Sequence, residues 1–264
     1  MIRYRQLPGI VAGLACLLTP ALAFAQEQPP ACKAPNELIR LTQPLTHTAQ
    51  RLAGFESLKI IAIGSSSTAG AGASSPAASY PSRLAAELRE QFPGHPITVI
   101  NRGVNGEEAR DMLARFPAQV IEEKPDLVLW QLGTNSVLRD HPLSLTNPLI
   151  LEGVRELKEI GADVVMIDPQ FAPRVIAKPD AESMVTLISR AAKEANVDLF
   201  QRFATMRYWR EAEHLPFAAF ITPDDLHMND WGYGCLAKLL GTAIAEAATR
   251  GVASAQALPS QRTP

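Results

Sequence analysis

The feature that most constrains the fold is a regular alternation of short apolar runs with segments of helical spacing. The apolar runs are nearly continuous, which is the pattern of strands whose two faces are both covered by helices. They lie at residues 59–63, 97–101, 127–132, 164–167 and 197–200. The helical segments lie at residues 80–91, 107–122, 148–160 and 181–195. This alternation predicts an α/β fold with a doubly wound parallel sheet of about five strands, right-handed crossovers and helices on both faces.

The predicted three-layer, flavodoxin-like domain spans residues 58–250 and has a segment on either side. Residues 26–57 are expected to form an N-terminal arm and a helix over residues 38–52. The last helix of the domain is expected over residues 230–248. Residues 251–264 are small and polar, which predicts a disordered tail. We find no repeat and no boundary of a second domain in the sequence.

The first 25 residues have the three parts of a secretory signal peptide. Two arginines give a basic start, an apolar stretch covers residues 7–24, and Ala23-Phe24-Ala25 is an A-x-A cleavage site. Cleavage is expected before Gln26, which predicts a periplasmic or secreted protein without stable membrane insertion. A membrane anchor is the alternative, but Pro8 and Pro20 interrupt this short segment.

Charge and cysteine content limit the expected partners. The formal net charge is −2 at pH 7, and loss of the two leader arginines makes the chain more acidic. A chain without a basic patch is not expected to bind nucleic acid.

Cys32 and Cys235 remain after cleavage, and export favours one disulfide between the arm and the last helix. Two unpaired buried thiols are the alternative.

Polar residues with catalytic potential lie after the first strand and near the end of the domain. Residues 64–68 read Gly-Ser-Ser-Ser-Thr, so a serine hydroxyl is expected at the carboxyl edge of the sheet. Residues 224–227 read Asp-Asp-Leu-His. An aspartate three positions before a histidine can orient an imidazole that takes the proton from a serine. Three consecutive serines leave the nucleophile open, and Asp225 competes with Asp224 as the partner of His227.

Two further turns could supply donors to a negatively charged oxygen. Residues 101–106 read Asn-Arg-Gly-Val-Asn-Gly after the second strand, and residues 133–135 read Gly-Thr-Asn after the third. A backbone N–H and a side-chain amide of this kind can stabilise the oxyanion of a tetrahedral intermediate. Gly103 and Gly106 compete for the first role, and either could serve only a turn. Asn135 could instead bond its own backbone as a loop residue.

These four blocks, in this order, resemble the SGNH or GDSL family of serine esterases, named for its Ser, Gly, Asn and His. The resemblance extends over roughly residues 60–245. It implies a nucleophile at the third position of the Gly-Ser-Ser block and an aspartate–histidine pair near the end of the domain. The implied site is a catalytic triad of Ser66, Asp224 and His227 and an oxyanion hole of Ser66, Gly106 and Asn135.

The resemblance implies an esterase that acts on acyl esters, and the predicted signal peptide implies that it is exported. The short link between Asn135 and the next helix favours an open site and short-chain acyl esters, O-acetyl esters in particular, on small molecules or carbohydrates. The implied reaction requires no cofactor. The sequence has neither the glycine spacing of a dinucleotide-binding loop nor the ligand spacing of a zinc site. Two alternatives remain, namely an acyltransferase on carbohydrate with the same triad and a non-catalytic carbohydrate-binding module. The second is motivated by two departures from the family, since Ser65 and Ser136 stand where the family usually has aspartates.

Overall fold

The predicted sheet is the centre of the molecule. The computed structural model describes Met1 and residues 29–256, with side chains as far as Arg250, so the predicted cleavage site lies outside the described residues. Within them the sheet has five parallel strands in the order β2-β1-β3-β4-β5. The strands are β1 (Leu58–Gly64), β2 (Ile97–Gly103), β3 (Leu127–Gln131), β4 (Asp163–Ile167) and β5 (Asp198–Phe200). This order confirms the doubly wound, flavodoxin-like fold.

Helices cover both faces of the sheet. They are α1 (Asn36–Ile39), α2 (Thr46–Ala53), α3 (Ser66–Ala69), α4 (Tyr80–Gln91), α5 (Ala109–Phe116), α6 (Thr134–Leu138), α7 (Thr146–Glu159), α8 (Pro173–Ile176), α9 (Ala181–Ala195), α10 (Arg202–Glu211) and α11 (Asp230–Gln256). On one face α11 packs against α2 and α4, and on the other α7 packs against α5 and α9. No helix within residues 29–256 is long and apolar enough to cross a membrane.

The central strand β3 shows why the apolar runs are continuous. Every residue of Leu127–Gln131 is buried, because helices lie on both sides of it. Trp130 packs edge-to-face on Phe116 and lies directly against Gly153 of α7. A Cβ at Gly153 would lie 2.4 Å from the indole ring, so a larger residue there would force α7 away from the sheet.

Three helix predictions need correction. The helix predicted over residues 38–52 is broken into α1 and α2, because the backbone N–H groups of Thr42 and Gln43 donate to Asp198 instead of to helical carbonyls. The helix predicted over residues 107–122 ends as α5 at Phe116 and continues as a π-turn, since Pro117 has no N–H to donate. The final helix continues past residue 248 to Gln256, so the start of the predicted tail is helical.

The N-terminal arm is attached to the domain by a disulfide and by hydrogen bonds. Cys32 is bonded to Cys235 of α11, as predicted. The indole N–H of Trp231 donates to the Pro30 carbonyl at 3.0 Å, and that of Trp209 donates to the Lys33 carbonyl at 3.0 Å. The arm therefore lies against α10 and α11, close to the segment that carries residues 224–227.

Candidate active site

The turns that leave β1, β2 and β3 meet at one edge of the sheet. β1 lies between β2 and β3, so the strand order reverses there. Such a reversal opens a crevice at the carboxyl ends of the strands, where α/β proteins bind ligands. Ser66 follows β1, Gly106 follows β2 and Asn135 follows β3. Three residues predicted from separate blocks of sequence therefore border the same crevice.

Ser66, His227 and Asp224 form a continuous chain of hydrogen bonds. His227 Nε2 lies 2.9 Å from Ser66 Oγ, and its Nδ1 lies 2.5 Å from Asp224 Oδ2. The competing Asp225 has a backbone φ of 60°, and its carbonyl accepts a hydrogen bond from the Arg174 N–H. The ring therefore pairs with Asp224, and the predicted catalytic residues lie within hydrogen-bonding distance of one another.

Asp224 is held as a carboxylate by donors from its own loop. Its Oδ1 accepts hydrogen bonds from the Thr222 hydroxyl at 2.6 Å and from the backbone N–H groups of Leu226 and His227, each at 2.9 Å. Partial burial opposes ionisation, but the hydrogen bonds from the side chains of Thr222 and His227 outweigh it and hold the pKa of Asp224 well below its usual range. Because a carboxylate only accepts, Nδ1 of His227 carries the proton and Nε2 can accept the proton of Ser66.

Burial separates the three consecutive serines. Ser65 and Ser67 are each only 1% exposed, whereas Ser66 is half-buried and faces His227. The backbone N–H and hydroxyl of Ser65 both donate to Gln131 Oε1, at 2.9 and 3.1 Å, and the Thr68 hydroxyl donates to the same oxygen at 3.2 Å. Gln131 thus fixes the turn that presents Ser66. Gln131 was not predicted as a site residue, although it is a polar side chain at the end of an apolar run.

The two glycines after β2 have different roles. A Cβ at Gly103 would lie 2.1 Å from the backbone nitrogen of Ala69, so this glycine permits the close packing of β2 on α3. The Gly103 N–H donates to the side chain of Asn101. Gly106 has φ +81° in a turn closed by a hydrogen bond from the Glu107 N–H to the Val104 carbonyl. None of the described residues accepts a hydrogen bond from the Gly106 N–H, which leaves it available to a ligand.

Asn135 lies in the first turn of α6, directly after Gly133. One hydrogen of its side-chain amide donates to the Glu107 carbonyl at 2.8 Å, which joins the third turn to the turn of Gly106. An amide group has two donor hydrogens, and the second has no acceptor among the residues that the structure describes. Gly133 has φ +88°, and a Cβ there would lie 2.8 Å from the side chain of Ile188, so the turn requires glycine.

The loop of residues 222–228, which carries Asp224 and His227, packs against the loop that follows α3. Thr222 N–H donates to the His227 carbonyl at 2.8 Å and closes the loop on itself. Gly72, in the neighbouring loop, has φ +87°. A Cβ at this position would lie 2.6 Å from the Met228 carbonyl oxygen and 2.9 Å from His227 Cβ. Gly72 therefore lets the two loops approach each other at the imidazole.

A buried arginine and a buried aspartate, Arg202 and Asp168, were not predicted from the sequence. Arg202 is fully buried; its Nε donates to the Asp168 carbonyl at 2.8 Å and its Nη2 to Gln170 at 3.0 Å. The Asp168 carboxylate accepts the Phe203 N–H at 2.8 Å. Burial raises the pKa of Asp168 to about 7 and lowers that of Arg202 to about 10. Within residues 29–256, no group of three or more His, Cys, Asp or Glu side chains could hold a metal ion.

Comparison with known proteins gives a family match and several esterase relatives. Residues 31–250 match the sequence model of the non-GDSL lipase-like family. An arylesterase from Vibrio mimicus is 31% identical over 125 residues, which cover 47% of this chain and 61% of the relative. Esterase TesA from Pseudomonas aeruginosa is 31% identical over 87 residues, which cover 31% of this chain and 43% of the relative. The chain thus spans less than two thirds of the length of these relatives.

Solved structures share the fold at lower sequence identity. A two-domain esterase active on acetylated mannans superposes with a TM-score of 0.67 at 22% identity and covers 80% of this chain and 56% of its own. An acetyl-xylooligosaccharide esterase from Geobacillus stearothermophilus superposes with a TM-score of 0.61 at 24% identity and covers 71% and 94%. The arrangement of β1 to β5 and their helices is therefore one that esterases also have.

Proposed function

The chain belongs to the non-GDSL lipase-like family, and from this premise we propose that it is an exported serine esterase that hydrolyses short-chain acyl esters, O-acetyl esters above all. The observation that carries the proposal is the hydrogen-bonded chain from Asp224 through His227 to Ser66. A serine hydroxyl is a poor nucleophile until a base accepts its proton, and this arrangement supplies the base and its orienting carboxylate.

In the acylation step, Ser66 Oγ attacks the carbonyl carbon of the ester while its proton passes to His227 Nε2. The imidazolium that forms is stabilised by the carboxylate of Asp224, whose low pKa keeps it ionised throughout the ordinary pH range. The tetrahedral intermediate then collapses, the bond to the alcohol oxygen breaks, and the alcohol leaves with the proton from His227. The product of this half-reaction is an acyl ester on Ser66.

The carbonyl oxygen becomes negatively charged in the tetrahedral intermediate and needs donors that are already in place. We assign the backbone N–H groups of Ser66 and Gly106 and the free amide hydrogen of Asn135 to this role. The hydrogen bond from Asn135 to the Glu107 carbonyl supports the assignment, because it fixes two of the three groups relative to each other. Preorganised donors of this kind cost no reorganisation at the moment of reaction.

In the second half-reaction, water attacks the acyl-enzyme with His227 as general base, and the carboxylic acid is released. A sugar hydroxyl in place of water would make the protein an acyltransferase with the same residues. The proposed substrates are acetylated carbohydrates, since two structural neighbours are described as esterases of acetylated mannans and acetyl-xylooligosaccharides. The short connection between α6 and α7 favours a site without a large lid, which suits small acyl groups. Export follows from the signal peptide predicted over residues 1–25.

The proposal is tested by hydrolysis of p-nitrophenyl esters of graded chain length. We expect turnover to be highest with acetate or butyrate and to disappear in Ser66→Ala. Ser67→Ala is the matched control, because its hydroxyl belongs to the same turn but is buried and lacks a partner among the described residues. Intact-mass analysis after a rapid acid quench should find one acetyl group on the wild type and on Ser67→Ala, but not on Ser66→Ala.

Three outcomes would contradict the proposal or favour one of its alternatives. Turnover that survives in Ser66→Ala would refute the assignment of the nucleophile. Transfer of the acetyl group to an added oligosaccharide, faster than its release to water, would favour the acyltransferase. No turnover on any ester, with equal binding of a polysaccharide by wild type and Ser66→Ala, would favour the carbohydrate-binding module.

A further inference from the structure

The two turns that carry Gly106 and Asn135 are held together by more than the amide of Asn135. Arg139, at the C-terminal end of α6, contacts the turn after β2. Its Nη2 donates to the Gly106 carbonyl at 2.8 Å, and its Nη1 donates to Glu108 Oε1 at 2.5 Å. One guanidinium therefore donates hydrogen bonds to both a backbone carbonyl and a side chain of the opposite turn.

Glu108 is the acceptor at which the contacts from α6 converge. Besides Arg139, it accepts the Ser136 hydroxyl at 2.7 Å and faces His141 Nδ1 at 3.0 Å. Its backbone N–H donates to Asp111 Oδ2 at 3.0 Å, which joins Glu108 to the first turn of α5. Partial burial favours the neutral acid, but the hydrogen bonds from Ser136, His141 and Arg139 outweigh it and lower the pKa of Glu108. The carboxylate is therefore ionised at neutral pH and available to the guanidinium.

The position of Gly106 depends on these contacts because its own conformation is permissive. Glycine at φ +81° can rotate its peptide groups at little cost. Among the described residues, two hydrogen bonds join α6 to backbone carbonyls of this turn, from Arg139 to Gly106 and from Asn135 to Glu107. Removal of the guanidinium would leave the peptide group between Gly106 and Glu107 held by the long hydrogen bond from the Glu107 N–H to the Val104 carbonyl, at 3.4 Å. Rotation about the Gly106 backbone could then move the Gly106 N–H, which belongs to the preceding peptide group, away from the crevice while Asn135 stays in place.

We propose that Arg139, together with Glu108, is a positioning residue of the oxyanion hole, which holds the Gly106 N–H at the point where the oxyanion forms. This inference rests on the proposed function of the crevice. The competing interpretation is an ordinary surface ion pair, since the Arg139 side chain is 45% exposed. Exposed pairs contribute about 0–1 kcal/mol to stability and have no reason to affect catalysis. The positioning role therefore predicts a change in kcat, whereas the surface ion pair predicts at most a small change in the free energy of unfolding.

The test compares Arg139→Met with Arg155→Met, whose guanidinium forms an exposed pair with Glu159 on α7, away from the crevice. With p-nitrophenyl acetate we expect Arg139→Met to lower kcat roughly tenfold while KM changes less than about twofold, because a misplaced donor affects the transition state more than substrate binding. Arg155→Met should match the wild type. Arg139→Lys should give an intermediate kcat, since one ammonium cannot grip both acceptors.

A boronic acid provides a readout that a purely structural role would not change. Phenylboronic acid forms a tetrahedral adduct with the active-site serine, and one adduct oxygen occupies the oxyanion position. We expect its inhibition constant to rise in Arg139→Met by about the same factor as kcat falls. Arg139→Met and Asn135→Ala should also be non-additive in kcat, because both act on the same oxygen.

The outcomes separate this inference from the proposed function. If the wild type hydrolyses the ester and Ser66→Ala does not, but Arg139→Met keeps its kcat and boronate affinity, only the positioning role is overturned. Additive effects in the double mutant would also overturn it. If the wild type is inactive, the proposed function has failed first. If Arg139→Met does not fold, Glu108→Gln tests the same interaction, because it removes the charge that pairs with Arg139 and keeps a side chain of equal size.

Discussion

Replacing Gly72 with alanine should displace His227 without changing any of the side chains proposed to react. Gly72 has φ +87° and lies against the loop that carries His227. A Cβ there would be 2.6 Å from the Met228 carbonyl oxygen and 2.9 Å from His227 Cβ, where ordinary contacts begin at 3.4 Å. The Met228 carbonyl oxygen would have to move by about 0.8 Å and His227 Cβ by about 0.5 Å, or the loop of Gly72 would have to withdraw.

The expected loss in the free energy of unfolding has two parts, which a control variant separates. A left-handed conformation costs an alanine about 1–2 kcal/mol. Gly94 has φ +85°, and no atom of the described residues lies within 4 Å of a Cβ placed there, so Gly94→Ala should show this part alone. Gly72→Ala should add the cost of overpacking, about 1–3 kcal/mol. The free energy of unfolding of Gly72→Ala should therefore be lower than that of Gly94→Ala by about 1–3 kcal/mol.

The effect on catalysis follows from the bond between His227 Nε2 and Ser66 Oγ, which is 2.9 Å long. A misplacement of 1 Å can cost about a hundredfold in rate, so a shift of half that size should lower kcat roughly tenfold, with little change in KM. Urea unfolding and p-nitrophenyl acetate turnover are measured for both variants. An unchanged kcat in Gly72→Ala, with the stability of Gly94→Ala, would refute the idea that this loop sets the position of the imidazole.

Three further predictions test the oxyanion site, the disulfide and the buried carboxyl. Asn135→Ala should lower kcat by about a hundredfold or more with a smaller change in KM, and the reverse pattern would remove Asn135 from the oxyanion site. Replacing Cys32 and Cys235 by serine should lower the free energy of unfolding by about 2–5 kcal/mol without changing kcat, and an unchanged urea midpoint would contradict this. Because the pKa of Asp168 is raised to about 7 and that of an unfolded aspartate is near 4, the folded protein binds more protons between these values. The free energy of unfolding of the wild type, relative to that of Asp168→Asn, should therefore fall as pH rises from about 4 to 7 and stay level above pH 7. Urea unfolding at several pH values measures this difference. A rise over the same pH range would mean that Arg202 controls the pKa of Asp168.

The strands were predictable because their signal is local. Five apolar runs between turns mark β1 to β5 to within two residues, since a strand buried on both faces leaves few polar side chains. The break between α1 and α2 was not predictable, because it depends on Asp198, 155 positions away from Gln43. A long-range acceptor can replace helical hydrogen bonds, and nothing in residues 38–52 signals that it is there.

The same division applies to the candidate site. The pairing of Asp224 with His227 follows from a three-residue spacing, which a single turn satisfies. The ties that hold the other groups are long-range, such as Gln131 on Ser65 and Arg139 on Gly106. These residues stand in segments with an ordinary structural explanation, namely the end of a strand and of a helix. Their roles are defined by contacts across the sheet edge, which single-sequence patterns do not contain.

Those contacts also bear on the two departures from the family pattern, Ser65 and Ser136. Each serine hydroxyl donates to an acceptor, Ser65 to Gln131 Oε1 and Ser136 to Glu108 Oε2. An aspartate at either position would place a carboxylate against an oxygen, and at position 136 it would bring two like charges together in a partly buried site. Each serine is therefore matched to its partner in this chain. The departures can be explained without a loss of catalysis, which removes the main reason to favour a binding module.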